Sequence, residues 1–347
     1  MIGRRSRDRA GSTRVAPAIS VARCALLLLW ATFAGVFLPS NAFAQVLLVL
    51  SDDSSGYQAV ANELRDGLKT VRDGKLRIDT AIAARIASDA PKLDTYELVV
   101  PVGLAAAQAV VSREESIPAP PRTLCLLIPR QSFAQLAARR HDQRLSALYI
   151  DQPLARQLDL LRLALPQKKR IGVILGPTSQ QLAEELRSEA SAHALDLTSV
   201  PIDQPAGVYN ALQTVMPASD VLLMLPDPVA ASADTVYGTL LTAYRAELPV
   251  MGFSEGLFNA GALVSLFSSA RQQGREGAEI AARVLADGGA LPGPQYPRYF
   301  TVRVNANVAR SLGLHPPSAE ALSAALEVQR DSARAPVDAS AKPGGQR

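Results

Sequence analysis

The sequence contains few of the residues on which metal-binding or stacking sites depend. Among 347 residues there are three histidines and one tryptophan. The histidines, His141, His193 and His315, are widely spaced and no cysteine cluster accompanies them, so the pattern gives no support for a metal site. The tryptophan, Trp30, lies in an N-terminal segment that we expect to be removed. The remaining chain therefore has no Trp platform for stacking a sugar, although Tyr57 and Tyr209 offer aromatic surface.

Cysteine is also scarce, with Cys24 in the N-terminal segment and Cys125 inside the apolar run 124–128. A single remaining cysteine cannot form an internal disulfide. We interpret Cys125 as an inert, buried strand residue. The sequence also lacks a phosphate-binding Gly-Lys-Ser/Thr loop, which excludes an ATPase subunit, and no cofactor is indicated.

The first 44 residues have the order of a secretory signal peptide. A segment with six arginines precedes the apolar run 25–38, and the triplet Ala42-Phe43-Ala44 follows. This order predicts export to the periplasm with cleavage between Ala44 and Gln45. An uncleaved membrane anchor is the alternative, but the run is shorter than the about 20 residues of a membrane span.

The basic balance of the chain belongs to this leader. The full chain has a net charge of +4, and residues 1–44 carry six arginines and one aspartate. The remaining chain has 30 basic and 31 acidic residues, a net charge of −1. This balance gives no electrostatic reason to expect nucleic acid as a partner.

After the leader, short apolar runs alternate with helical patterns. Continuous rather than alternating apolar runs are typical of parallel strands that are covered on both faces. The pattern predicts an α/β fold with doubly wound parallel sheets, and eleven strands favour two similar lobes over one sheet. The predicted strands are 46–50, 76–80, 96–102, 123–128, 145–150, 170–175, 197–202, 221–225, 250–253, 262–267 and 299–304.

The two lobes are each expected to contain two stretches of chain. We assign residues 45–148 and 256–293 to the N-terminal lobe, and residues 149–255 and 294–314 to the C-terminal lobe. The region around 151–153 and the Pro-Gly segment 291–294 are the expected crossings. Residues 315–347 are expected to form a disordered tail, because their end is rich in Ala, Ser, Pro, Asp and Gly without periodicity.

The loops after the strands are the best candidates for a ligand site. In open α/β sheets, ligands bind beyond the carboxyl ends of the strands, where helix N-termini offer free N–H groups. Each serine or threonine in these loops can instead be a simple helix N-cap. The candidates are Ser54, Ser55, Gly103, Thr178, Ser179, Asp227, Ser254 and Glu255.

Residues 146–314 resemble the periplasmic substrate-binding proteins of ABC transporters that have the type I binding-protein fold, in the group that includes tryptophan and tyrosine binders. The resemblance rests on the order and spacing of several segments rather than on one motif. They are Leu163-Ala164-Leu165-Pro166 before the strand 170–174, residues 220–227, Leu248-Pro249-Val250-Met251-Gly252, Gly261-Ala262-Leu263, Gly274, Ala281-Ala282, Val304-Asn305, Ala309 and Leu312-Gly313-Leu314.

The resemblance implies a monomer whose two lobes close by a hinge around a small amino-acid-like solute or other small carboxylate, and which delivers it to a membrane permease. It also implies that Asp227 meets a ligand amino group while Thr178 and Ser179 meet a carboxylate. The first lobe departs from the family pattern at 129–132 and 134–145, near the expected cleft. Arg130, in the first departure, can pair with a ligand carboxylate or be a solvated loop residue.

Two other functions remain open at this stage. One is a ligand-binding module that signals to a membrane sensor, since type I lobes serve both roles. The other is an exported serine esterase, because Gly252-Phe253-Ser254-Glu255-Gly256 matches the Gly-x-Ser-x-Gly nucleophile elbow at a predicted strand end. That enzyme needs a later acid and histidine, for which Asp287 and His315 are the best placed.

Overall fold

The computed structural model describes residues 45–88, 91–140 and 143–334. The predicted signal peptide, His141, the side chain of Asp287 and residues 335–347 of the predicted tail lie outside this description. Within the described ranges, no helix combines the length and the apolar character that are needed to cross a membrane.

The first sheet contains five parallel strands in the order β2-β1-β3-β4-β5. Every residue of β1 after Gln45 and all of β3 are buried. These central strands read as continuous apolar runs because helices cover both of their faces. The strands are β1 (Gln45–Leu50), β2 (Arg77–Ile82), β3 (Leu98–Val102), β4 (Arg122–Ile128) and β5 (Leu145–Tyr149).

The second sheet contains six strands in the order β11-β10-β9-β8-β6-β7. Its pairs are parallel except for the antiparallel edge strand β11. The strands are β6 (Arg170–Leu175), β7 (Asp196–Pro201), β8 (Val221–Leu223), β9 (Val250–Gly252), β10 (Val264–Phe267) and β11 (Thr301–Val304).

Helices pack on both faces of each sheet. One face of the first sheet is covered by α1 and α10, and the other face by α2, α3 and α4. In the second lobe, α5, α6 and α12 cover one face, and α7, α8 and α9 cover the other. The helices are α1 (Ser55–Leu68), α2 (Ala83–Ser88), α3 (Leu104–Glu114), α4 (Arg130–Ala137), α5 (Leu154–Ala164), α6 (Ala183–Ala192), α7 (Val208–Val215), α8 (Ala233–Arg245), α9 (Glu255–Ala260), α10 (Ala270–Asp287), α11 (Ala306–Ser311) and α12 (Ala319–Arg334).

The predicted fold class, two α/β lobes with mostly parallel sheets, is confirmed, and each predicted strand overlaps an observed one. The lobe boundaries differ from the prediction in two places. Gln295, which the prediction places in the second lobe, pairs with Leu148 of the first sheet. Residues 256–267 were assigned to the first lobe, but β10 lies between β9 and β11 in the second sheet. The chain returns to the first lobe only at Ser268 and Ser269, where α10 begins and packs along α1.

The expectation of disorder from residue 315 onward is also wrong for residues 319–334, which form α12. The apolar side chains of this helix are sparse, but Leu322 and Leu326 are one turn apart and both are 2% exposed in the core of the second lobe. Because residues four apart lie on the same helix face, two leucines are enough to dock the helix.

Polar side chains tie the segments that connect the two lobes. Gln152, on the first crossing, donates from Nε2 to the Ser268 hydroxyl at 2.9 Å. Ser268, on the second crossing, donates in turn to the Tyr299 carbonyl at 2.6 Å. Arg156 donates to both Gln152 Oε1 and the Pro297 carbonyl. The three connections between the lobes, at 151–153, at 268–269 and at 297–300, are therefore hydrogen-bonded to one another and form the hinge.

Candidate functional site

The strand-end loops of the two lobes meet through one ion pair. Arg130 lies directly after β4 in the first lobe, and Glu185 lies in the first turn of α6, after β6 in the second lobe. The Arg130 guanidinium donates to both Glu185 carboxylate oxygens, with Nη1 to Oε1 at 3.2 Å. The side chains are 25% and 39% exposed, so this bidentate pair closes the space between the lobes while remaining accessible to solvent.

The backbone of Arg130 is fixed by a carboxylate at the end of the neighbouring strand. Asp151, two residues after β5, accepts a 2.6 Å hydrogen bond from the Arg130 N–H, which begins α4. Burial raises the pKa of Asp151, and the hydrogen bond and positive charge of Arg130 oppose that rise. The start of α4 therefore depends on a residue from the adjacent strand, and this contact aims the Arg130 side chain across the cleft.

The Tyr296 ring lies against this ion pair, and the rings of Tyr149 and Phe133 follow it toward the core of the first lobe. The Tyr149 ring lies edge-on to Phe133 at 5.9 Å and to Tyr296 at 5.4 Å between ring centroids. Arg130 lies over the Tyr296 ring, 5.8 Å from its centroid. Burial raises the pKa of Tyr296 to about 12, although the nearby positive charge of Arg130 lowers it. Smaller contributions that also raise this pKa come from Glu185, Asp151 and Tyr149. The phenols therefore stay neutral, and they offer both apolar surface and hydrogen bonds.

The residues after β1 and β3 in the first lobe are packed closely against one another. The Ser51 hydroxyl donates to the Val102 carbonyl and accepts from the Ala106 N–H, both at 3.1 Å. Gly103 has a φ of +93°, and a Cβ there would lie 2.7 Å from the Tyr57 ring. Gly103 therefore lets the Tyr57 ring pack against the turn between β3 and α3.

Ser54 and Ser55 are exposed at the N-terminus of α1. The Asp52 carboxylate accepts a 2.8 Å hydrogen bond from the Ser54 N–H. Hydrogen bonds from the Ser54 side chain and backbone lower the pKa of Asp52. Asp52 thus supplies a negative charge at this helix end, where the macrodipole favours one.

In the second lobe, the structure gives Asp227, Thr178 and Ser179 a role that differs from the predicted one. Asp227 Oδ2 accepts from the Thr178 N–H at 3.1 Å, the Ser179 N–H at 2.8 Å and the Ser179 hydroxyl at 2.9 Å. Its Oδ1 accepts from the Val229 and Ala230 N–H groups at 2.8 and 2.9 Å. Asp227 is 6% exposed and Ser179 is fully buried. Asp227 therefore binds both Thr178 and Ser179, so its carboxylate, the two backbone N–H groups and the Ser179 hydroxyl already have partners.

Gly176 is required by the same arrangement. A Cβ at position 176 would collide with the Asp227 carboxylate, closer than real Cβ contacts allow. The sequence Gly176-Pro177-Thr178-Ser179 therefore forms a turn wrapped around a buried aspartate. These residues do follow a strand end, but their polar groups bind the buried Asp227 carboxylate and do not face the cleft.

Ser254 has the contacts of a helix N-cap. Its hydroxyl accepts a 3.1 Å hydrogen bond from the Leu257 N–H, and its backbone is extended at φ −148° and ψ 161°. A nucleophile elbow instead holds its serine on a strained turn. Glu255, the next residue, is exposed and lies 3.7 Å from Arg303. His315 is exposed in the segment after α11. These observations support the N-cap alternative over the esterase.

Several residues of the site were missed from the sequence. Asp151 directly follows the predicted strand 145–150, so the strand-end rule would have found it, whereas Tyr149 lies inside that predicted strand and ends only the observed β5. Glu185 and Tyr296 lie on a helix and on a crossing segment, and no local pattern marks them. Within the described ranges, no three His, Cys, Asp or Glu side chains are close enough together to hold a metal ion.

Solved structures with this fold are numerous. A conserved domain protein from Vibrio cholerae matches with a TM-score of 0.58 and 24% identity, covering 81% of this chain and 98% of that one. A Streptococcus pneumonia ABC domain in complex with L-Trp matches with a TM-score of 0.59 and 17% identity, and the match covers 81% of this chain and 97% of that one. A ligand-free, open substrate-binding protein with adhesive properties from Clostridium difficile matches with a TM-score of 0.62 and 19% identity, and the match covers 80% of this chain and 97% of that one. At these identities the likeness shows the fold alone.

The family is shown by the sequence itself. No curated protein matches this chain. The family model described as ABC transporter substrate binding protein matches residues 67–315, which include most of both lobes and the hinge. The chain therefore belongs to the ABC transporter substrate-binding protein family.

Proposed function

We propose that this protein captures a small amino-acid-like carboxylate between its two lobes, outside the cytoplasm, and delivers it to an ABC permease. Family membership supports binding of a solute. The observation that carries the choice of ligand is the Arg130–Glu185 ion pair, which joins the strand ends of the two lobes. The basic-apolar-small order of residues 1–44 supports export.

The ion pair is complementary to an amino-acid zwitterion. The Arg130 fork that holds both Glu185 oxygens has the geometry to hold a ligand carboxylate in the same way. Glu185 then becomes available to an ammonium group. A zwitterion inserted between the two side chains replaces each charge's partner, so neither charge is left unpaired as the lobes close.

The half-buried rings of Tyr149 and Tyr296 suit an apolar or aromatic ligand side chain beside this charged pair, and Phe133 packs against Tyr149 from the core of the first lobe. Neutral phenols provide edge-on contacts and a hydroxyl without adding charge. Tryptophan is bound by one structural neighbour, so aromatic amino acids are the first compounds to test.

The test measures thermal unfolding of the purified protein in the presence of each compound of a panel. The panel contains amino acids, their deaminated carboxylic acid analogues, nucleosides and sugars. A ligand at 100 times its dissociation constant stabilises the protein by about 2.7 kcal/mol. We expect a shift with one amino acid class, absent in Arg130→Gln and retained in the control Arg113→Gln on the exposed face of α3. A shift only with uncharged sugars or nucleosides, equal in all three proteins, would contradict the proposed ligand class.

A further inference from the structure

The hinge carries a polar cavity that borders the strand-end cleft, because Tyr296 lines the cavity and also lies against Arg130 in the cleft. Its volume is about 440 Å³, and its charged lining comes from both lobes and from the crossing segment 289–300. Among the described lining residues, four guanidinium groups meet two carboxylates, which leaves an excess of positive charge. We name this cavity the hinge pocket, and its lining residues are Arg156, Glu276, Glu279, Arg283, Gln295, Tyr296, Pro297, Arg298 and Arg330.

The guanidinium groups converge on the backbone of the crossing segment. Arg156, on α5, donates to the Pro297 carbonyl at 3.0 Å. Arg330, on α12, donates to the next carbonyl, that of Arg298, at 3.4 Å. Arg156 also lies 4.9 Å from the centroid of the Phe300 ring. Two side chains of the second lobe are thus held at adjacent points of the hinge.

The carboxylates of the pocket are largely engaged by the hinge itself. Glu276 accepts from the Arg298 N–H at 2.8 Å. Glu279 accepts from the Tyr299 hydroxyl at 2.9 Å and pairs with the Arg298 guanidinium. Burial raises the pKa of Glu276, and the Arg298 N–H is the main opposing influence. The two glutamates therefore hold the crossing segment and leave the pocket positive.

Arg298 and Arg283 contribute further donors. Arg298 Nε is buried and has no acceptor among the described residues. Arg283 is exposed on α10, one turn beyond Glu279, so the first lobe also presents a guanidinium to the pocket. Guanidinium forks bind carboxylate and phosphate oxygens in pairs, and several forks around one cavity suit an anion with more than one charge.

We propose that the hinge pocket is a binding site for a small multivalent oxyanion, a polyphosphate or a polycarboxylate, and that it lies next to the solute-binding cleft on the other side of Tyr296. Its walls come from α10 in the first lobe, α5 and α12 in the second lobe, and the crossing segment. A bound anion links these three parts, so it restrains the hinge. This inference does not depend on the identity of the solute.

The test titrates pyrophosphate, and separately citrate, into the full-length protein by calorimetry at constant ionic strength, with potassium chloride as the blank. We expect saturable binding that Arg283→Gln weakens about tenfold. Glu276→Gln keeps an acceptor oxygen for the Arg298 N–H and removes one negative charge, so it is expected to tighten binding several-fold. The control Arg113→Gln is expected to change nothing.

Hydrogen exchange of the crossing segment gives an independent readout. Pyrophosphate or citrate is expected to slow amide exchange between residues 289 and 300 in the wild type, and to do so less in Arg283→Gln. Binding of pyrophosphate alone assigns the site to phosphates, and binding of citrate alone assigns it to carboxylates. No heat beyond the chloride blank with either anion, or binding that both variants leave unchanged, would overturn the proposal.

Discussion

Replacing Asp227 by alanine removes the acceptor around which the strand-end turn of β6 is built. Five donors, four of them backbone N–H groups, bind its two oxygens in a region where Asp227 is 6% exposed. A net hydrogen bond stabilises by about 1 kcal/mol, and more when one partner is charged. Water entering the vacated space satisfies some donors, so we expect Asp227→Ala to lower the free energy of unfolding by about 3–5 kcal/mol.

The assay is equilibrium unfolding in urea, with two further variants as controls. Asp227→Asn keeps one acceptor oxygen, so about half of the loss is expected. Gly176→Ala introduces a Cβ that collides with the carboxylate, and this collision disappears when Asp227→Ala is also present. The double variant is therefore expected to lose less than the sum of the single losses. A loss below about 1 kcal/mol for Asp227→Ala, or strict additivity, would refute the buried-acceptor role.

Three other predictions concern a thiol, a carboxyl and the last helix. Cys125 is fully buried and burial raises the pKa of its thiol, so a disulfide reagent should modify it only after denaturant unfolds the protein; rapid labelling of the native state would contradict this. Burial raises the folded-state pKa of Asp151 above its usual value of about 4, so wild-type stability should fall relative to Asp151→Asn as the pH rises through that raised pKa; parallel unfolding curves from pH 4 upward would refute it. Leu322→Ala should cost about 2–5 kcal/mol in urea unfolding, whereas no loss would mean that α12 does not contribute to the core.

The strands were predictable because parallel strands that are covered on both faces consist of continuous apolar runs. The β1 segment Val46–Leu50 is an example, since all of its side chains are buried. The β10 strand was predicted as well, but its lobe was not, because the sequence does not say which sheet an isolated strand joins. The α12 helix was missed because only Leu322 and Leu326 among its first residues enter the core, within an Ala-rich and Ser-rich segment.

The positions of the candidate residues at strand ends were predictable, but the directions of their side chains were not. The departure from the family pattern at 129–132 drew attention to Arg130, which the structure places against Glu185 of the other lobe. The rule that ligands bind beyond strand ends selected Asp227, Thr178 and Ser179, but here the buried Asp227 carboxylate accepts hydrogen bonds from the Thr178 and Ser179 N–H groups. Contacts between the lobes depend on the hinge, and no local spacing in the sequence encodes them.

The most direct test of the proposed function is the calorimetric dissociation constant of the panel's best amino acid and of its deaminated analogue, for the wild type, Arg130→Gln and Glu185→Gln. We predict that Arg130→Gln weakens both ligands by about 10- to 150-fold, the loss of a charge-assisted bidentate contact of about 1.5–3 kcal/mol. Glu185→Gln should weaken the amino acid and spare the deaminated analogue. Equal affinities of the wild type and Arg130→Gln for both ligands would contradict capture of a carboxylate by Arg130.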